Sequence, residues 1–432
     1  MRWNFRLISG VVVVLCYFAS FAQAQNELFD WDRTLRVDFV LVGNLHYQNA
    51  YVSKITTFDG VFAGSNQMIS PFDYGEYRYF LIAPEKGDTL FKRGFSTLFE
   101  EWRTIDEARD KERAFQQSIE MPMPLIPVKL VVESRLRNGK FVGLFQDEVV
   151  PDELSVVRFQ PFDFPIKMIH GSNDSQQNFD VLFLAEGYQA NEADLFFDQV
   201  EDLSGQLLAT EPYQSLKDRM AIRAIAAPSV QSGPDDPRSD EWRNTIMEST
   251  FNTFGVDRYL ETEATWKVYD LAAQAPHDHI IVLVNSDKYG GGGIYNHFSV
   301  VTAGHRNSGT VLIHELGHGF GGLGDEYFGA DVSYNDFINP EIEPWQPNLT
   351  TLVDFDRKWK HLVAKDVPVP TPIRPMYKNT TGVFEGGGYV RKGVYRPAIN
   401  CRMRTNEAAG FCEVCTEVLT RKILFHAPGR GD

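Results

Sequence analysis

Five residues, HELGH from His314 to His318, constrain this chain more than any other stretch. On a helix, residues i and i+4 lie one turn apart on one face, so His314 and His318 can reach a common point. At about 100° per residue, Leu312, Ile313, Leu316 and Phe320 fall on the opposite side. The segment therefore predicts a helix with an apolar back buried on a core and a histidine face turned to a cleft. Asn307 or Ser308 can cap it, with the helix starting near Gly309.

Two histidines and a glutamate at this spacing form the HExxH pattern of zinc peptidases. His314 and His318 are the expected metal ligands. Glu315, beside the ligand face, is placed to act as general base on water rather than on the metal. Zinc lowers the pKa of a bound water to about 7, and the carboxylate takes its proton as it attacks a peptide carbonyl. A catalytic zinc needs a third protein ligand. In the commonest extended motif it sits six residues after the second histidine, but here that position is Gly324. The run GFGGLGDEY is rich in glycine, so the helix should break near Gly321 or Gly322 and turn back towards the metal. Asp325 is the first residue beyond the break able to bind zinc, and it is the expected third ligand. Glu326 and, on a distant segment, Glu385 in FEGGGY are the alternatives. Tyr389 and Tyr395 are candidate donors to a developing oxyanion.

The remainder of the chain gives these residues a setting. With 432 residues, two domains are the default. A net charge of −16 argues against nucleic acid or an anionic membrane as partner. Residues 1–24 read as a cleavable export signal. Arg2 and Arg6 precede an apolar run, and Ala22-Gln23-Ala24 fits a signal-peptidase site. No later run is long and apolar enough to span a bilayer. Loss of the leader removes Cys16 and leaves Cys401, Cys412 and Cys415, from which one disulfide and one free thiol are expected.

Residues 25–164 read as an all-β sandwich. Leu35, Val37, Phe39 and Leu41 alternate with Arg36, Asp38 and Val40, Tyr77 to Ala83 and Val128 to Val132 are similar, and Asn138-Gly139 signals a hairpin. Thr104 to Phe115 is the one helix candidate there. From 165 to 432 strands and helices alternate, as in an α/β domain. Strands are expected at Val181 to Ala185, Met220 to Ala227, His279 to Asn285 and Ile294 to Thr302. Helices are expected at Asn191 to Leu208 and Glu263 to Ala273.

HELGHGFGGLGDEY, YRPAINCRMR (Tyr395 to Arg404) and FCEVC (Phe411 to Cys415) together resemble the IgA-peptidase-type family of bacterial zinc metallopeptidases. GVFEGGGYVRKGVYRP and SGPDDP resemble further stretches of it. The resemblance implies one zinc ion per chain on His314, His318 and the DEY segment, with Glu315 as base. It also implies a metzincin-like layout in which Met403 of CRMR packs beneath the metal as a methionine turn. The whole reading is of an exported zinc-dependent endopeptidase that acts on a protein or peptide through a zinc-activated water. A non-catalytic exported binding protein that retains the fold is the alternative. Whether the chain ends up periplasmic, on the cell surface or secreted, and its oligomeric state, are not specified by these residues.

Overall fold

The strand Phe179–Glu186 is buried at every residue, as are Met220–Ile225 and His279–Val284. Strands apolar on both faces need cover on both sides, which is the condition of a parallel sheet flanked by helices. A computed structural model, which describes residues 27–63, 67–153, 155–329 and 338–428, shows that arrangement. The expected export signal, residues 1–24 with Cys16, falls outside the described residues.

The central sheet has six strands in the order Gly291–Gly293, Phe298–Thr302, His279–Val284, Phe179–Glu186, Met220–Ile225, Ile166–His170. Its four inner strands are parallel and its two edges antiparallel. Alternate side chains of Phe179–Glu186 enter two different cores. Leu182 and Leu184 join Val268 and Leu271 of the helix Thr265–Ala272. Val181 and Phe183 join the core on the other face, under the helices Ala193–Leu208, Ser308–Gly319 and Glu413–His426. Ser308–Gly319 carries HELGH, and Val311, Leu312, Ile313 and Leu316 of the helix and Phe320 just beyond it are buried in that core. Phe320 stacks on Phe179 with ring centroids 3.9 Å apart. The back face read from the periodicity is thus the face that anchors the histidines to the sheet.

The N-terminal part holds two four-stranded sheets that share one core. One has the order Arg113–Pro124, Phe29–Gly43, Gln48–Asp59, Val156–Arg158, and the other Thr89–Phe95, Tyr77–Ile82, Val128–Arg135, Phe141–Val149. Leu35, Val37, Phe39 and Leu41 from the first meet Leu81, Leu130 and Val132 from the second. The Asn138-Gly139 turn joins the last two strands as a hairpin, with Gly139 at φ +80°. The helix expected over Thr104 to Phe115 is not formed as such. Thr97 accepts from the Glu100 amide and starts a helix earlier, at Leu98–Trp102. Glu107–Asp110 adds one turn, Lys111 is extended, and Phe115 already pairs with Leu41 as strand. Among the described residues no helix is long and apolar enough to cross a membrane.

The two parts meet at the edge of the central sheet. Ser96 donates its amide to the Tyr295 carbonyl at 2.8 Å, and Asn296 Nδ2 donates to the Gly94 carbonyl at 2.7 Å. Ile294 is buried in the N-terminal core. Because the apolar back packs the histidine helix onto the sheet, Leu316→Ala should cost about 2–5 kcal/mol. Urea denaturation followed by circular dichroism would measure that loss.

Candidate metal centre

Each histidine ring is oriented by a backbone carbonyl. His314 Nδ1 lies 3.0 Å from the Arg402 carbonyl and His318 Nδ1 2.6 Å from the Leu323 carbonyl. A carbonyl only accepts, so both Nδ1 atoms carry the proton and both Nε2 atoms present lone pairs. Those Nε2 atoms are 3.0 Å apart, and Asp325 Oδ1 lies 3.2 and 3.3 Å from them. Three acceptors converging at that range repel one another unless a proton or a metal cation sits among them. Without a metal, burial disfavours a charged His318, yet the Asp325 carboxylate overrides it and holds the imidazole up at about 9. Ligand atoms around a tetrahedral zinc with bonds of about 2.0–2.1 Å lie about 3.3–3.4 Å apart, so the triangle fits such an ion.

Asp325 is delivered by the glycine run. The helix gives way at Gly319 and Phe320, slightly before the expected point, and Gly322 turns the chain at φ +67° with its amide on the His318 carbonyl at 3.0 Å. Gly324 is clamped by the Asn348 side chain, which accepts from its amide at 2.7 Å and donates to its carbonyl at 2.8 Å. A Cβ on Gly324 would meet Leu349 Cδ1 at 2.5 Å. The slot that holds a ligand in the longer motif is thus a packing position here. Tyr389 donates its hydroxyl to Asp325 Oδ2, leaving Oδ1 for the histidines. The turn Gly386-Gly387-Gly388-Tyr389, with positive φ at Gly386, Gly388 and Tyr389, brings that phenol over the site. Met403 is fully buried behind the helix, and a Cβ on Gly317 would come within 2.6 Å of its sulfur.

Glu315 faces the same cavity as the histidines, and burial raises the pKa of its carboxyl. The edge strand Gly291–Gly293 lines the cavity with backbone alone, so close that a Cβ on Gly291 would sit 3.1 Å from Glu315 Oε1. None of the strands expected from the sequence covers this tract. The N-terminal part contributes a further wall, where Glu76, Ser96 and Glu101 line the cavity. Burial pushes the Glu101 carboxyl up to about 7, and Tyr259 donates its hydroxyl to it. No motif could have signalled these residues, because only the interface between the two parts assembles them.

The remaining candidates lie elsewhere. Tyr395 packs beside Phe355, Trp359 and Val414 and is not among the residues lining the cavity. Glu385 is exposed and accepts from the Gly393 amide at 3.2 Å within its own hairpin. Glu326 is fully buried and turns away from the histidines towards the cysteines. Cys401, Cys412 and Cys415 are free thiols, with no bond between any pair.

Comparison with known families covers both parts of the chain. The model described as IgA Peptidase M64 matches residues 167–381 and 373–423, and that of the Peptidase M64 N-terminus matches residues 26–146. The chain belongs to the IgA peptidase M64 family. M64 is a metallopeptidase family, so the acceptor triangle lies within a peptidase domain that follows the M64 N-terminal domain. A peptidase implies a protein or peptide substrate. No curated protein matches the chain.

If the triangle holds the metal, Asp325→Ala should weaken zinc binding at least 100-fold, while Tyr389→Phe, which loses only a supporting hydrogen bond, should cost 10–100-fold at most. Competition titration against a zinc-chelating dye would rank the two variants.

Proposed function

We propose that the chain is an exported zinc-dependent endopeptidase, with His314, His318 and Asp325 as ligands of one catalytic zinc and Glu315 as general base. The observation that carries this reading is the convergence of two Nε2 lone pairs and one carboxylate oxygen within 3.3 Å, beside a buried glutamate in the same cavity. When bound, zinc supplies Lewis acidity to water and to the scissile carbonyl. Glu315 accepts the proton of the attacking water and returns it to the leaving amine, a task suited to a carboxyl whose pKa burial has raised. Tyr389 orients Asp325 in the resting site and is the phenol near enough to turn towards the developing oxyanion.

We assign residues 25–164 to a β-sandwich domain and 165–432 to the catalytic domain. Two sheets closing on one core support the first assignment. Met403 beneath the histidine helix supports a metzincin-like layout for the second, with the thioether acting by packing. Export rests on the Arg2, Arg6 and Ala22-Gln23-Ala24 pattern of residues 1–24.

Glu315→Gln should lower kcat/KM on a quenched-fluorescence peptide library by about 10²–10⁴-fold with zinc content unchanged. A variant as active as wild type would remove Glu315 from the reaction. A zinc-loaded wild type that cleaves nothing would favour the non-catalytic binding protein.

A further inference from the structure

Behind the histidine triangle lies a second group of ligand atoms. Glu326, Cys401, Cys412 and Cys415 each bring one donor atom within 4.8 Å of all the others. Cys401 Sγ is 3.7 Å from Cys415 Sγ, and Cys415 Sγ is 3.3 Å from Glu326 Oε1. Around a tetrahedral zinc with Zn–S of about 2.3 Å and Zn–O of about 2.0–2.2 Å, those edges would be about 3.8 and 3.6 Å. Glu326 is completely buried, and its Oε2 has no hydrogen-bond partner among the described residues. A carboxylate in that position is costly unless a cation meets it.

We propose that Cys401, Cys412, Cys415 and Glu326 hold a second, structural zinc ion, distinct from the one assigned to the histidines.

Four protein donors close the coordination sphere, as structural zinc sites require, and no donor position is left for a substrate. Supporting contacts are in place around it. The Cys412 amide donates to Cys401 Sγ at 3.2 Å, and Asn348 Nδ2 donates to Glu326 Oε1 at 3.1 Å. Such contacts orient ligands and stabilise thiolate charge. Binding would release the thiol protons to solvent. The ion would also account for three thiols persisting together, an odd set that disulfide pairing cannot exhaust.

The position of the site gives it a task. Glu326 follows Asp325 directly, and its amide donates to the Met403 carbonyl at 2.8 Å. Cys401 precedes Arg402, whose carbonyl orients His314. Cys412 and Cys415 sit at the start of the helix Glu413–His426. One ion would tie together from behind the DEY segment, the methionine loop and the C-terminal helix.

The full chain can be tested as purified without reductant. Elemental analysis should give two zinc equivalents. Cobalt substitution should give an intense near-ultraviolet thiolate-to-cobalt band that persists in His318→Ala, so the result is independent of the histidine site. Cys415→Ala should lose that band and one metal equivalent while keeping the other. Cobalt bound without a thiolate band would overturn the proposal. So would a disulfide joining two of the three cysteines, found by mass spectrometry after alkylation under denaturing, non-reducing conditions.

Discussion

Two imidazole Nε2 atoms and a carboxylate oxygen are held against one another, so that a proton or a cation must sit among them. Everything near the site serves that arrangement. Arg402 and Leu323 carbonyls fix the imidazole tautomers, Tyr389 occupies the other oxygen of Asp325, and the sheet anchors the helix through Leu312, Leu316 and Phe320. Convergent acceptors are unfavourable in a folded chain by themselves, so the surrounding structure must over-determine their positions. The buried glycines at 317 and 324 are part of that rigidity, since each leaves space that Met403 or Leu349 fills at contact distance.

The site is built at a junction. The histidine helix lies on one face of the parallel sheet, its ligand face opening beside the antiparallel edge Gly291–Gly293. At the same edge the N-terminal part seals one wall with Glu76, Ser96 and Glu101. The M64 N-terminal domain is therefore in contact with the cleft rather than remote from it, and its residues meet whatever occupies the cavity.

Much of this was legible because it depends on local rules. Periodicity placed the apolar back of the helix, alternation placed the strand around Val37, and the glycine run after His318 marked a turn that returns a carboxylate to the histidines. Asp325 and Glu326 illustrate the limit. They are adjacent carboxylates, and only the Asn348 clamp and the Tyr389 hydrogen bond decide that Asp325 faces the histidines and Glu326 the thiols. Tyr395 and Glu385 looked as available as Tyr389, but strand pairing in the hairpin Phe384–Arg396 turns them elsewhere. The Glu101 wall and the Gly291–Gly293 edge strand arise from contacts distant in sequence, which no local pattern encodes. The cysteine spacing gave no sign of Glu326, a buried carboxylate brought beside the thiols from seventy-odd residues away in sequence.

Anomalous diffraction from a crystal of the zinc-loaded protein, with data on both sides of the zinc absorption edge, tests the central claim most directly. The account predicts a zinc peak bonded to His314 Nε2, His318 Nε2 and Asp325 Oδ1. A peak on the two histidines whose third protein donor is any other residue, or no peak between the two histidines at saturating zinc, would contradict it.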